Sequence, residues 1–437
     1  MHSKPHPASS RHRSKAVHPT PPPNGAKPGA LDPEFPVIGK RPNAGAGTTG
    51  VQVNQITLQS DDAIVAAGER VKSALTGSML VKRYTANGQV DEAFAAAGTA
   101  EVSFAGSSAS LAYGVTVQAD KKIVVVGNAN IGQQTVWGLA RLNPDGSLDA
   151  SFGNGGQFTM AIGTSTDQAF SVLQQPDGKL VVGGETWNDT ENTIAFAVAR
   201  FLPDGALDPS FGNAGITIVS VGPQGLSGIR RILLTSAGRI VAVGYAGTLW
   251  QTFDFGLAQL NSDGTLDTTF GNQGTLSVSL GEDSAYANDA VLAPGGTIIA
   301  AGVSQKRSIG RQTVALAEIT SSGSLDLGFG SGGIQVTPIP GCSWNDGMGV
   351  VLQADGKILL GSKLGGDPNS GNFAILQYTS SGSLDEEFGN SGVATLAYDA
   401  LSVANSLAIQ SNGKVVGAGF HSPAIEQFGE AMARFFD

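Results

Sequence analysis

Cysteine and histidine are scarce in this chain, and the scarcity removes most routes to chemistry. Cys342 is the one cysteine among 437 residues, so no internal disulfide framework is available. Four of the five histidines (His2, His6, His12 and His18) fall before residue 30, which leaves His421 alone in the body. A Cys342–His421 pair needs hydrogen-bond reach of about 3 Å, and a Ser-His-Asp arrangement competes for the same imidazole. No His/Cys/Asp cluster has metal-ligand spacing, and no Gly-Lys-Ser/Thr phosphate loop occurs. No segment approaches the roughly 20 apolar residues of a membrane span. Residues 1–29 lack the apolar middle of a secretory signal. Charged residues are only 14%, and no stretch reads as a long amphipathic helix.

What the chain has is glycine, 61 residues of it, and a repeat. Phe35, Phe94, Phe152, Phe211, Phe270, Phe329 and Phe388 follow one another at intervals of 58 or 59 residues. Each has an aspartate three residues before it: Asp32, Asp91, Asp149, Asp208, Asp267, Asp326 and Asp385. A fixed period of this length means repeated supersecondary units. Alternation within one copy predicts strands at Gln168 to Gln175, Lys179 to Gly184, Ile194 to Phe201 and Ile216 to Val221. Asp177-Gly178 joins the first two strands and predicts a tight turn with positive φ at both central residues.

Four strands per unit and seven units predict an all-β fold, a seven-bladed β-propeller with four-stranded antiparallel blades. An open solenoid competes, and the chain ends decide between them. The last unit stops at Asp437, short of its fourth strand, whereas Ala30 to Gly39 matches Ala206 to Gly215 at six of ten positions. The N-terminal segment is thus expected to complete the C-terminal blade and close the ring. Lys40 to Gly47, with Pro42, predicts a short or irregular outer strand. The domain reading is a disordered basic Pro/His-rich tail over 1–29 and a propeller over 30–437, with a metal-binding or anion-binding arm as the lesser reading of the tail.

The Asp-Gly-Ser-Leu-Asp-x-Ser-Phe-Gly phrase, the Phe-Ala-Leu-Ala-Arg strand before it and the Gln-x-Asp-Gly-Lys-Ile-Val-Val-x-Gly hairpin resemble the bacterial delta-60 repeat family over residues 30–437. A more distant likeness is to NHL-type propellers. It implies that Gln168 to Gln175 and its equivalents are the innermost strands, while the family resemblance implies little about activity.

With inner strands so placed, the second-to-third and fourth-to-first loops share one face and vary in length and chemistry. They include Glu185 to Thr193 with Trp187, Tyr245 to Thr252 with Trp250, Val303 to Gln312 with its basic residues, and Pro340 to Asp346 with Trp344. Exposed aromatic rings beside Asn, Asp and Gln suit saccharide or peptide recognition, against the plainer reading that each Trp packs its own loop. Trp137, at a third-strand position, is expected in the core. The inner strands open on Asn54-Gln55, Tyr113-Gly114, Phe170-Ser171, Arg230-Arg231, Asn288-Asp289, Met348-Gly349 and Asn405-Ser406. That ring could hold a ligand, with Arg230 or Arg231 facing an anionic group and Asn288 or Asp289 accepting bonds. It could equally line a water-filled mouth.

The functional expectation is a non-enzymatic recognition propeller for a glycan or an extracellular protein. A purely structural protein–protein scaffold is the alternative. A glycosidase-like enzyme is the third reading, and it needs Asp289, Asp346, Asp189 or Glu191 to pair at about 5 to 9.5 Å. Candidate ligand-binding residues are Trp187, Trp250, Trp344, Arg230, Arg231, Asn288, Asp289, Tyr113 and Asn54; no catalytic residue, metal or cofactor is expected. A calcium loop at Asn143 to Asp149 fails because equivalents such as Thr320 to Asp326 offer one carboxylate and no distal Glu. Residues 1–29 hold five of the Lys and Arg and no acid, so the body is more acidic than the net charge of -10 and excludes nucleic acid as a partner. A monomer without a membrane span, exported by a non-classical route to the surface or beyond, completes the expectation.

Overall fold

Alternating sequence becomes strand in every repeat. The computed structural model describes residues 26–39, 50–73, 76–222, 225–248, 252–398, 400–424 and 427–437. Among these are 27 β-strands, two single-turn 3₁₀ segments at Pro294–Gly296 and Arg307–Ile309, and no α-helix. No helix among the described residues is long and apolar enough to cross a membrane. The tail up to residue 25, Lys40 to Gly47 and Trp250 lie outside the described residues.

In the third repeat the strands are Asp167–Gln174, Leu180–Asn188, Thr193–Phe201 and Ile216–Val219, paired antiparallel in chain order. The second strand therefore runs past Gly184, where the sequence reading ends it, and takes in Trp187. The residues read as loop are strand because Glu185 to Asn188 pair with Phe196 to Thr193, and Thr and Trp favour a pleated, half-covered surface. Trp344 likewise opens a strand, Trp344–Leu352.

The first hairpin also differs from expectation. Gln175 N–H donates to Lys179 O at 2.8 Å and Gly178 N–H to Gln175 O at 2.9 Å, which makes a three-residue loop. Only Gly178, at φ 87°, is left-handed. A type I turn followed by one left-handed residue matches the strand twist without two positive φ values. That requirement explains how Asp62 (φ 63°) and Lys121 (φ 66°) stand at the same position.

The repeated aspartates cap their own turns. Asp149 Oδ1 accepts the Ser151 N–H at 3.1 Å, and the other six make the equivalent bond at 3.0–3.2 Å. All seven phrase phenylalanines are buried to 3% exposure or less. Each lies under a turn glycine of the following repeat; a Cβ on Gly205 (φ 88°) would sit 2.9 Å from the Phe152 ring. Core packets thus fall between successive repeats, and Trp137 is fully buried in the one containing Phe152 and Phe201, as expected.

Hydrogen bonding groups the strands into sheets of four, four, eight, eight and three. Each eight-stranded sheet spans two repeats through one parallel pair, Ile194 with Leu226 or Gln312 with Trp344. The three-stranded sheet, Leu401–Ile409, Val415–Ala424 and Gln427–Phe435, is the last repeat. Against its final strand lie Leu31, bridged to Phe435, and Ile38, bridged to Met432. Asp32 N–H donates to Arg434 O at 2.8 Å, the bond that Asp208 N–H makes to Arg200 O within the third repeat. Gly29 also joins the body, donating to Phe436 O at 2.8 Å.

Candidate binding site

Every first strand breaks register at one equivalent place, and Ser107–Val117 breaks a second time between Ser107 and Ser110. The irregularities fall at Asn54, Tyr113, Phe170, Arg230, Asn288, Met348 with Gly349, and Asn405. A bulged residue has no opposite partner, so its side chain is freed from the sheet face and re-aimed. These are the residues the sequence places around the channel mouth. All but Gly349 line one cavity of about 320 Å³, together with Gln55, Arg231, Asp289, Ser406 and Phe420.

Several of them are already engaged. Asn54 Nδ2 donates to Ala112 O at 2.9 Å, Asn288 Nδ2 to Gly347 O at 2.7 Å, and Asn405 Nδ2 to Val53 O at 2.8 Å. The residue after the bulge accepts an amide from the next first strand: Gln55 from Val115 at 2.7 Å, Asp289 from Val350 at 2.9 Å, Ser406 from Ile56 at 3.1 Å. Asn54, Asn288 and Asp289, read as ligand groups, therefore also act as staples between neighbouring repeats. Unstapled and facing the cavity are Tyr113, Phe170, Arg230, Arg231, Met348 and Phe420.

Arg230 is held on all sides. Its Nη1 donates to Glu185 Oε2 at 2.9 Å, and its guanidinium lies 4.0 Å from the Phe170 ring centre and 5.1 Å from that of Tyr245. Tyr245 Oη donates to the same Glu185 oxygen at 3.0 Å. Arg231 Nε stands 3.2 Å from Asp289 Oδ1, near enough for charge compensation but not aligned for a hydrogen bond, and is buried without one. Asn405 Oδ1 is buried and unbonded as well. Burial raises the Asp289 carboxyl, against the pull of Arg231. Burial, then the charge of Glu69, pushes the Tyr113 hydroxyl up to about 12. Tyr113 and Phe170 lie 4.9 Å apart, tilted by 37°.

The remaining candidates are elsewhere. Trp187 is half-buried, its carbonyl accepting the Thr164 N–H at 2.9 Å, and Trp344 is half-buried opposite Gly365; neither lines the cavity. Of the carboxylates, Asp289 alone reaches it. Asp346 pairs with Lys363 at 3.1 Å, Asp189 accepts from Ser165 at 2.7 Å, and Glu191 is exposed. The glycosidase pairing is thus not assembled at the mouth, because strand extension carries these loop acids away from it. Cys342 sits among Pro338 to Ser343, whereas His421 stacks on Tyr398 at 5.5 Å, so the thiol and the imidazole have separate surroundings. Among the described residues no group of three or more His, Cys, Asp and Glu could hold a metal.

Glu185, which holds Arg230, and Phe420, which lines the cavity, are the residues of the candidate site that sequence reading missed. Both occupy the sixth place of their second strands, Leu180–Asn188 and Val415–Ala424, as do Glu69, Asn128, Tyr245, Val303 and Lys363. Aligning second strands as well as first strands would have found this second ring.

Four segments, residues 118–152, 175–211, 236–270 and 353–388, match a family described as a domain of unknown function (DUF5122) β-propeller. Each runs from the first hairpin to the phrase phenylalanine. The match supports a β-propeller fold for the repeats it covers. No curated protein matches the chain. Among solved structures, the chain is similar to an ulvan lyase of a new polysaccharide lyase family, with 8% identity over 93% of this chain and 94% of that one and a TM-score of 0.48. A protein of unknown function from Dyadobacter fermentans is 13% identical over 92% and 97%, with a TM-score of 0.43. A gluconolactonase from Xanthomonas campestris is 11% identical over 84% and 94%, with a TM-score of 0.37.

Proposed function

We propose that the chain is a non-enzymatic recognition propeller of seven blades, closed by residues 30–39, that binds a glycan at the mouth of its central cavity. Seven bulged first strands support the blade count. The Asn405-to-Val53 staple, which repeats the Asn54-to-Ala112 and Asn288-to-Gly347 staples, supports closure between the last blade and the first. The residues before the body form a separate basic tail in this reading.

The observation that carries recognition is the asymmetry of the cavity. Staples occupy one set of residues, while Tyr113, Phe170, Met348 and Phe420 supply apolar area and Arg230 and Arg231 supply oriented donors. Binding sites combine a mostly apolar lining with a few placed polar groups. Trp187 and Trp344, half-buried on strand ends outside the cavity, carry no part of this reading.

Glycan-array binding of the wild-type protein, repeated with Tyr113→Ala and with Trp187→Ala, tests this. Loss of signal with Tyr113→Ala is the expected result. Silence on every glycan, with one stoichiometric protein partner recovered instead, would replace the reading with a scaffold.

A further inference from the structure

We infer that the sugar held in the cavity is a single uncharged residue, bound through its hydroxyls, and not an acidic one; this rests on the recognition reading above. The sequence, with two adjacent arginines at the mouth, points to an anion. The structure reverses that expectation, because both charges are answered from within the protein.

Arg230 is paired with Glu185 at 2.9 Å and Arg231 with Asp289 at 3.2 Å. Glu69, half-buried and without an ion-pair partner among the described residues, adds a negative charge acting on Tyr113. The site therefore offers an incoming carboxylate no excess of positive charge. An anion would have to displace Glu185 or Asp289 from its guanidinium, or lie beside it, and like charges in a partly desolvated site repel.

The bonding capacity of the lining agrees. Arg231 Nε, charge-compensated by Asp289 but not aligned for a hydrogen bond, is a buried donor, and Asn405 Oδ1 is a buried acceptor without a hydrogen bond. A sugar hydroxyl both donates and accepts, which suits a lining that presents arginine donors beside asparagine and carboxylate acceptors. The tilted Tyr113 and Phe170 rings give the apolar face of such a ring its surface. The volume, about 320 Å³, lies at the small end of ligand sites and suits one sugar residue rather than a chain.

Isothermal titration of the full chain with methyl glucoside, methyl galactoside and methyl mannoside, beside the matching methyl uronates, decides the matter. At least one neutral glycoside is expected to bind about tenfold or more tightly than its uronate, a difference within the reach of one lost or repulsive contact. Its affinity should change little with salt, because no net charge is neutralised. Glu185→Gln, which unpairs Arg230, should narrow or invert the preference. A uronate that binds more tightly than its neutral counterpart, with binding lost in Tyr113→Ala, would overturn the inference and leave the recognition reading intact. Absence of binding by both classes would remove the recognition reading and the inference with it. If Glu185→Gln does not fold, the wild-type comparison between sugar classes still gives the answer.

Discussion

Arg434 and Asp32 are 402 residues apart in the chain and meet at 2.7 Å, guanidinium Nε to carboxylate Oδ2, with both side chains buried. The same pair forms inside single repeats as Arg141–Asp149 at 2.7 Å and Arg200–Asp208 at 2.8 Å. In each the guanidinium also covers the phrase phenylalanine, at 4.9 Å for Phe35, 4.6 Å for Phe152 and 4.7 Å for Phe211. Lys414 adds a second cation to Asp32 at 2.8 Å. The contact between the chain's ends is therefore built from the same parts as an ordinary repeat.

Asp32→Asn should be strongly destabilising, because it leaves Arg434 buried without its counter-charge. A loss of about 3–5 kcal/mol is expected for breaking one side of a buried pair. Urea unfolding measures it, with Asp208→Asn as the internal comparison. A loss below about 1 kcal/mol, the range of an exposed pair, would mean that the N-terminal segment does not fasten the last repeat.

That junction was legible because Ala30 to Gly39 repeats residues with fixed partners, so sequence likeness carried contact likeness. The core position of Trp137 was legible for the same reason. The site was legible only in part. Strand register gathered Asn54, Tyr113, Arg230 and Asn288, which line one cavity, but their partners were not visible. A staple such as Asn54 to Ala112 is a bond from a side chain to the next repeat's backbone, and backbone carbonyls carry no sequence signal. Glu185 was lost because its segment looked like a polar loop, whereas pairing with Phe196 keeps it in the sheet.

Stability should fall in acid. Burial alone raises the carboxyls of Asp32, Asp149 and Asp208, but the bonds they accept from Lys, Arg, Ser and backbone N–H groups outweigh it and hold all three below the usual range. The Thr269 hydroxyl and Lys357 lead the same lowering at Asp267 and Asp385. A carboxyl with a depressed folded pKa contributes stability above its unfolded value, and that stability is lost as pH falls through the folded value. Glu69, Asp289, Glu318, Asp346 and Asp437, raised first by burial, work in the opposite direction but are fewer than the lowered carboxyls. The urea midpoint should hold between about pH 5 and 8 and drop steadily below about pH 4, near the unfolded carboxyl pKa. A midpoint that rises on acidification would contradict this balance.

Glu318 occupies the place of Arg200 but faces Asp326, and burial first, then that like charge, raises its carboxyl. Glu318→Arg should install the pairing seen in four other repeats and raise stability by about 0.5–2 kcal/mol, the usual yield of a compatible substitution. An unchanged urea midpoint would show that this repeat lacks room for the guanidinium over Phe329.

The asparagine staples separate structural from ligand roles. Asn288→Ala leaves the Gly347 carbonyl without its donor, and about 1–3 kcal/mol is expected for a buried group so orphaned. Asn54→Ala should cost a similar amount through the Ala112 carbonyl. The two are separate staples, so their losses should add within about 0.5 kcal/mol in the double variant. Clear non-additivity in urea unfolding would show that the staples tighten as one unit.

Gly228 controls the charge of the cavity without lining it. A Cβ there would meet the Glu185 carboxylate and the Tyr245 ring and hydroxyl, the two groups that hold Arg230. Glu185 is the one able to yield, because its carboxylate is the far end of a flexible side chain, whereas Tyr245 packs edge-on against Phe253 and Tyr286 at 5.5 and 5.9 Å. Gly228→Ala should therefore push the carboxylate away and leave Arg230 stacked on Phe170 with an unanswered charge. Overpacking costs about 1–3 kcal/mol, so a lower melting temperature is expected with the fold retained. The sugar preference should move toward acids, in the same direction as Glu185→Gln. Burial first, then the Glu185 charge, raises the Tyr245 hydroxyl, so its ultraviolet titration should shift down as that charge leaves. A variant that melts lower while both the tyrosine titration and the sugar preference stay fixed would mean that Glu185 keeps its place and the backbone has moved instead.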